Sequence, residues 1–165
     1  MPLEGIPRSQ YLALKFVDNN RADSIYENIK PAGELEGLNF NFEKISHTPN
    51  TVLAHRFITW SKQTGNSEKV VEKLFEAYFV DGLNIGLPEI LKDIAVDAKM
   101  NTKEFDAYLE SEQGIGEVNS DTKFAYTNGI TGVPYFIFNK QFSITGAQEP
   151  TAFLPLLDIK PELDQ

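Results

Sequence analysis

The chain has 165 residues and no cysteine. This excludes disulfide bonds, thiolate-ligated zinc and any thiol nucleophile supplied by the chain itself. Histidine is also scarce, with only His47 and His55 present. No Asp or Glu accompanies these two residues at ligand spacing, so we expect no metal site. No motif in the sequence implies a bound cofactor.

The sequence also has few basic residues and no long apolar run. Fifteen Lys and Arg stand against 24 Asp and Glu, which gives a net charge of −9. This balance argues against nucleic-acid binding and against docking on an anionic membrane. No apolar run approaches the roughly 20 residues that span a bilayer. The opening residues, MPLEGIPRSQ, have no secretory signal pattern. We expect a cytoplasmic protein without a nucleic-acid or membrane partner.

Most of the chain has apolar residues at the spacing of an amphipathic helix. The chain is long enough to bury a hydrophobic core in one domain. The predicted helices span residues 8–17, 20–30, 51–62, 68–82, 88–98, 103–113 and 121–129. Pro31 is expected to interrupt the second of them, and Asn119 or Ser120 to begin the last. His55 is expected to pack beside Arg56 and make a structural hydrogen bond. Six aromatic side chains are expected in the core: Phe40, Phe42, Trp60, Phe75, Tyr78 and Phe79.

The stretch GITGVPYFIFNKQFSITGAQEP, residues 129–150, predicts a β-hairpin. Tyr135–Phe138 is apolar at every position, which is typical of a strand buried on both faces. Asn139 and Lys140 form a tight turn, and residues 141–145 return as the second strand.

Pro134 stands at the entry of the first strand. Proline donates no ladder hydrogen bond, so a strand's first residue is an ordinary place for it. A cis Val133–Pro134 bond is the other interpretation of the same position. It would redirect the chain and leave the backbone N–H and C=O of Val133 free to face a site.

This stretch resembles the C-terminal half of a DsbA-like thioredoxin-fold protein. It is most similar to the FrnE-like dithiol–disulfide oxidoreductases, which are related to the 2-hydroxychromene-2-carboxylate isomerases. GVP matches the cis-proline loop of that family, and GAQ matches the turn before its final helix. NTVLAHRFITW (50–60) and LFEAYFVDGLNIG (74–86) resemble its inserted helical lobe. The resemblance implies an α/β, thioredoxin-like fold of the DsbA type, mostly helical, with substrate bound at Gly132, Val133 and Pro134 and with a cis Val133–Pro134 bond.

The chain departs from the family pattern at the catalytic Cys-x-x-Cys, which has no counterpart here. In the family this motif lies near the N-terminus, between the first strand and the first helix. MPLEGIPRSQYLALKF (1–16) resembles the segment that follows the second core strand. We therefore expect a core sheet that lacks the first βαβ unit. The expected organisation is core helices and a connector in 1–48, the inserted lobe in 49–115, and the C-terminal half of the core in 116–165.

Family membership implies thiol–disulfide exchange on a protein or peptide substrate, in which a low-pKa thiolate attacks a disulfide. The chain has no catalytic residue for this step, so we expect it to be redox-inactive as given. One alternative is a glutathione-dependent isomerase relative, and another is a non-catalytic peptide-binding module. Without neighbouring strands, the apolar edge of Tyr135–Phe138 would be bare. We therefore expect a homo-oligomer.

Overall fold

The computed structural model describes residues 1–16 and 19–157, with side chains for 1–16 and 24–157. The chain divides into two compact units, Met1–Val118 and Asn119–Gln165. The described part is mostly helical and contains two sheets of two strands each. Among the described helices, none is both long enough and apolar enough to cross a membrane.

The first unit opens with a short sheet and two helices. Strand β1 (Ile6–Pro7) leads into helix α1 (Arg8–Lys15), and helix α2 (Asn19–Leu35) follows. A 3₁₀ turn at Phe42–Lys44 precedes strand β2 (His47–Thr48), which pairs antiparallel with β1. Strands of two residues show no alternating pattern, so the sequence did not predict this pairing.

Helix α2 runs through Pro31, so the predicted interruption there is wrong. Pro31 is exposed, so water can reach the carbonyl that loses its intrahelical donor. The helix ends four residues later at Leu35, where Leu38 N donates to Gly33 O at 2.8 Å. Gly37 supplies the positive φ of +79° that this C-terminal motif requires.

The remaining helices of the first unit follow the predicted order. Helix α3 covers Val52–Gln63 and α4 covers Ser67–Phe75. Helix α4 continues directly into a π-helix at Glu76–Val80. Helix α5 (Pro88–Asp97) begins at a proline, and α6 (Thr102–Glu110) completes the group. The helices predicted from the apolar spacing of these segments are therefore confirmed.

The core of the first unit lies between these helices. Rings from α3 and α6 form its centre: Phe57 lies 4.5 Å from Phe105, and Trp60 lies 5.4 Å from Phe105, between centroids. Phe57, Phe105 and Leu91 are fully buried. The prediction that Trp60 belongs to the core is confirmed. The same prediction is wrong for Phe75, which is 59% exposed at the junction of α4 and the π-helix.

A second aromatic cluster joins α2, the 39–44 segment and the π-helix. Tyr26 stacks on Phe42 with centroids 4.6 Å apart, and Phe40 meets the edge of Phe79 at 5.9 Å. Asn41 N donates to Phe79 O at 2.8 Å, which anchors the connecting segment to the π-helix. These rings are half-buried.

Helix α7 (Ile115–Thr127) begins before the predicted caps at Asn119 and Ser120. Gly114, with a φ of +77°, precedes the helix, and Val118 N donates to Gly114 O at 3.2 Å. The helix starts at this left-handed glycine rather than at a polar cap. The predicted start was therefore wrong by several residues.

The hairpin of the second unit has the predicted position. Strands β3 (Tyr135–Phe138) and β4 (Phe142–Thr145) pair antiparallel. Asn139 and Lys140 have φ values of 51° and 60°, and positive φ at both central residues is typical of a type I′ turn. The unit continues with a 3₁₀ turn at Pro150–Ala152 and helix α8 at Leu154–Leu157.

The prediction that β3 is buried on both faces is wrong. Phe136 is 39% exposed and Ile137 is 47% exposed. Phe153 packs against Phe136 at 4.9 Å and against Phe138 at 6.2 Å between ring centroids. A sheet of two strands offers too little surface to cover the remaining apolar side chains.

Candidate functional site

The loop Gly132–Pro134 connects α7 to β3. Helix α7 ends at Thr127. Gly129, two residues later, has a φ of +66°, and Ile130 N donates back to Ala125 O at 2.9 Å. This left-handed glycine turns the chain sharply out of the helix. Strand β3 begins at the residue after Pro134. The loop is therefore short and is fixed at both ends by regular structure.

The backbone of this loop is open to solvent. The Val133–Pro134 peptide bond is cis, the isomer that the resemblance implies, and Val133 is 89% exposed. In the part of the chain that the structure describes, no hydrogen bond engages the backbone of Gly132 or Val133. Pro134 O accepts a hydrogen bond from Gly146 N at 2.8 Å, which ties the end of the loop to the end of β4.

The same bond fixes which edge of β3 is free. Pro134 O faces β4, and backbone groups alternate in direction along a strand. The N–H and C=O groups of Tyr135 and Ile137 therefore point to the edge away from β4. No described strand pairs with that edge. The loop and this edge together present a row of backbone donors and acceptors that fits an added extended chain.

The hairpin unit has little reactive chemistry around the loop. The charged side chains of residues 119–157 are Asp121, Lys123, Lys140 and Glu149. None of these is a nucleophile of the thiolate type, and the whole sequence contains no cysteine. The arrangement can therefore hold an extended chain but supplies no group for disulfide exchange.

Residues 1–158 match the family model of the DSBA-like thioredoxin domain. The chain belongs to this family. Its order of elements, with a helical group between the N-terminal segment and a C-terminal hairpin, confirms the DsbA-type fold predicted from the sequence.

Two individual proteins are also similar to this DSBA-like chain. The crystal structure of the probable DsbA oxidoreductase SCO1869 from Streptomyces coelicolor superposes with a TM-score of 0.83 at 24% identity. That match covers 96% of this chain and 70% of the other, and at this identity it shows the fold. The uncharacterized protein YwbO of Bacillus subtilis (strain 168) is 30% identical over 110 residues. The alignment covers 66% of this chain and 55% of YwbO.

Arg56 on α3 makes structural hydrogen bonds that the sequence led us to expect of His55 instead. The side chain of Arg56 is only 4% exposed. The guanidinium donates to four backbone carbonyls at the end of α6 and in the following loop: Tyr108 at 3.0 Å, Leu109 at 3.4 Å, Ser111 at 2.6 Å and Gln113 at 2.9 Å. A cation at these carbonyls also complements the negative end of the helix dipole. Arg56 therefore joins α3 to the C-terminal end of α6.

Tyr108 completes this contact in the opposite direction. Its hydroxyl donates to Arg56 O at 3.1 Å, and the guanidinium carbon of Arg56 lies 5.3 Å from the centre of its ring. Burial raises the pKa of Tyr108, although the Arg56 charge opposes that shift. The hydroxyl therefore keeps its proton at neutral pH and can donate.

The two histidines contribute little to any site. His55 is exposed, and the structural hydrogen bonds expected of it are made by its neighbour Arg56. One position along a helix turns the side chain by about 100°, which separates the inward Arg56 from the outward His55. His47 is exposed on β2 and contacts Ser46 Oγ at 3.0 Å. Within the described residues, no group of three or more His, Asp or Glu could hold a metal ion.

Proposed function

We propose that this chain binds an extended, thiol- or disulfide-containing polypeptide at Gly132–Pro134, as a member of the FrnE-like branch of dithiol–disulfide oxidoreductases. By itself the chain does not carry out thiol–disulfide exchange. The observation that supports this is the unengaged backbone of Gly132 and Val133, which continues into the free edge of β3 in a chain without cysteine.

The geometry favours recognition of main chain over recognition of particular side chains. Backbone groups along a strand edge add an extended peptide as a further strand, whatever its sequence. Each such hydrogen bond contributes about 0.5–1.5 kcal/mol net. The exposed side chains of Val133 and Ile137 add apolar contact beside it. Binding by a few such bonds is weak and of broad specificity, as suits a protein that meets many polypeptides.

The proposed absence of thiol–disulfide exchange follows from the chemistry of that reaction. Disulfide exchange requires a thiolate to attack one sulfur while the other leaves as a thiolate. No residue of this sequence supplies that nucleophile. Purified chain added to a model disulfide and a thiol reductant should therefore leave the reduction rate at the level of the blank.

The binding half can be tested with an unfolded polypeptide whose cysteines have been carboxymethylated, so that no redox step contributes. We expect saturable ¹H–¹⁵N shifts at the amides of Gly132, Val133 and Tyr135. Val133→Pro removes the exposed N–H donor and should weaken binding about five- to tenfold. Val133→Ala keeps the N–H and serves as the matched control, with affinity close to that of the native chain.

Three outcomes would contradict the proposal. Shifts confined to residues outside the loop and β3 would place the binding site elsewhere. Equal affinities for the Val133→Pro and Val133→Ala variants would show that the Val133 N–H is not used. Saturable binding of glutathione at the loop, without binding of the polypeptide, would favour the isomerase-like alternative.

A further inference from the structure

The first unit contains a cavity of about 340 Å³ beside the second aromatic cluster. Its walls come from α1, α2 and the 3₁₀ turn, and they include Arg8, Leu12, Tyr26 and Phe42. The volume lies in the range of small-molecule sites. All of its described lining residues belong to the first unit, Met1–Val118.

Arg8 is the unusual group in this cavity. Its guanidinium donates to three hydroxyls: Tyr26 Oη, Thr48 Oγ1 at 3.2 Å and Tyr78 Oη at 3.4 Å. No carboxylate in the described part of the chain lies within ion-pair distance of it. Fully buried charges are normally paired, whereas Arg8 is half-buried and keeps some access to water. Arg8 is therefore a cation surrounded by neutral partners in a chain that is acidic overall.

The partners of Arg8 leave donors available. A guanidinium has five N–H groups, and three are engaged here. Each hydroxyl accepts from Arg8 through its oxygen, and the hydroxyls of Tyr78 and Thr48 also hydrogen-bond to each other. Burial raises the pKa of Tyr78, so this hydroxyl stays protonated at neutral pH. The other cation of the cavity, Lys30, is paired with Glu43 at 2.9 Å. The free hydrogen-bonding capacity near Arg8 is thus that of donors, which suits an anionic acceptor.

The rest of the wall combines the apolar surfaces of Leu12, Tyr26 and Phe42 with three charged side chains, Glu27, Lys30 and Glu43. Tyr26 and Phe42 stack with ring centroids 4.6 Å apart, and the Arg8 guanidinium carbon lies 5.4 Å from the Tyr26 ring centre. The π-helix that carries Tyr78 is a second indication of function, because such single turns occur frequently at functional sites. The exposed carboxylates of Glu27 and Glu43, which also line the cavity, would repel a ligand with several negative charges.

We propose that this cavity binds a small monocarboxylate with an aromatic or apolar body. The carboxylate accepts hydrogen bonds from Arg8 and the neighbouring hydroxyls, and the body packs on the rings and on Leu12. Arg8 favours a carboxylate over a neutral group because hydrogen bonds between charged groups are stronger than those between neutral ones.

Phenylacetate and its neutral match, phenylacetamide, test this inference with the whole chain. We expect phenylacetate to shift the amide signals of Arg8, Leu12 and Tyr26 saturably, with a dissociation constant on the order of 1 mM. Phenylacetamide should bind at least about tenfold more weakly. Arg8→Gln should abolish the preference for the acid. Lys15→Gln makes the same change of charge at an exposed site of the same helix and should leave binding unchanged.

The proposal is overturned if phenylacetate produces no saturable shift up to about 10 mM, or shifts only residues outside the cavity. Equal affinity for the acid and the amide in the native chain would overturn it as well. Far-UV circular dichroism reports whether Arg8→Gln folds. If it does not, Arg8→Lys decides instead, since it keeps the cation and should keep a preference for phenylacetate.

Discussion

At the scale of single residues, two arginines of the first unit each make several side-chain hydrogen bonds that were not predicted from the sequence. Arg56 lies on the apolar side of α3, four residues before the buried Trp60. A charged residue on such a stripe is a signal of a buried, satisfied cation that could have been noticed. Arg8 gave no such signal, because its partners Tyr26 and Tyr78 are distant in sequence.

Replacing Arg56 should be costly. Arg56→Met keeps much of the side-chain length but leaves the buried Tyr108 carbonyl and three partly buried carbonyls without their donor. Loss of charged hydrogen bonds to these groups is expected to lower the free energy of unfolding by about 3 kcal/mol. The free energy of unfolding can be measured by urea unfolding followed by circular dichroism. His55→Ala, the exposed neighbour, should change stability by less than about 0.5 kcal/mol. Similar losses for the two variants would show that the Arg56 contacts carry no special weight.

At the scale of elements, apolar spacing was enough to locate α3, α5 and α6, while boundaries depended on backbone details. Pro31 was expected to end α2, but exposure makes its missing hydrogen bond tolerable. The start of α7 was missed because a left-handed glycine, Gly114, precedes it in place of a polar cap. The β1–β2 pair joins segments some forty residues apart, and local pattern carries no information about it.

Two glycines at the start of α7 should respond to alanine in opposite directions. Gly114 has a φ of +77°, and a Cβ there would collide with the Tyr108 hydroxyl. Gly114→Ala should therefore destabilise the protein by about 2–4 kcal/mol. Gly116 lies inside the helix, and a Cβ there would meet no atom within 4 Å. Gly116→Ala should stabilise by roughly 0.5 kcal/mol. Differential scanning calorimetry compares both with the native chain. A neutral Gly114→Ala would contradict the proposed contact.

At the scale of the whole molecule, the fold class could be predicted because the resemblance extends along nearly the whole chain. Of the candidate site, the loop at Gly132–Pro134 came from the same resemblance. The exposure of β3 could not be deduced from its composition, because the four apolar residues YFIF fit a strand with covered faces equally well. How far the β3 side chains are exposed depends on how many strands lie beside β3. The sequence of β3 alone does not contain that information.

The exposed hairpin makes self-association the expected behaviour of this chain. Besides Phe136 and Ile137, Phe142 of β4 is 43% exposed. Strand β3 itself carries no lysine or proline, the residues that commonly protect an edge from pairing with another strand. The four charged residues of 119–157 cancel, two of each sign. The excess of negative charge therefore belongs to residues outside 119–157 in the sequence. An antiparallel copy of β3 would pair the backbone of Tyr135 with its own counterpart about a two-fold axis.

We therefore expect light scattering to give the mass of a dimer or a larger assembly at concentrations of about 100 µM. Ile137→Pro removes an N–H from the free edge of β3. It removes no hydrogen bond of the β3–β4 ladder, because the backbone N–H of Ile137 points away from β4. This variant should have a dimer dissociation constant at least about tenfold higher than that of the native chain, so that more of it is monomeric. Ile137→Val keeps the N–H and should associate like the native chain. A native chain that stays monomeric would refute the expectation, and a dimer that persists in Ile137→Pro would place its interface away from the β3 edge.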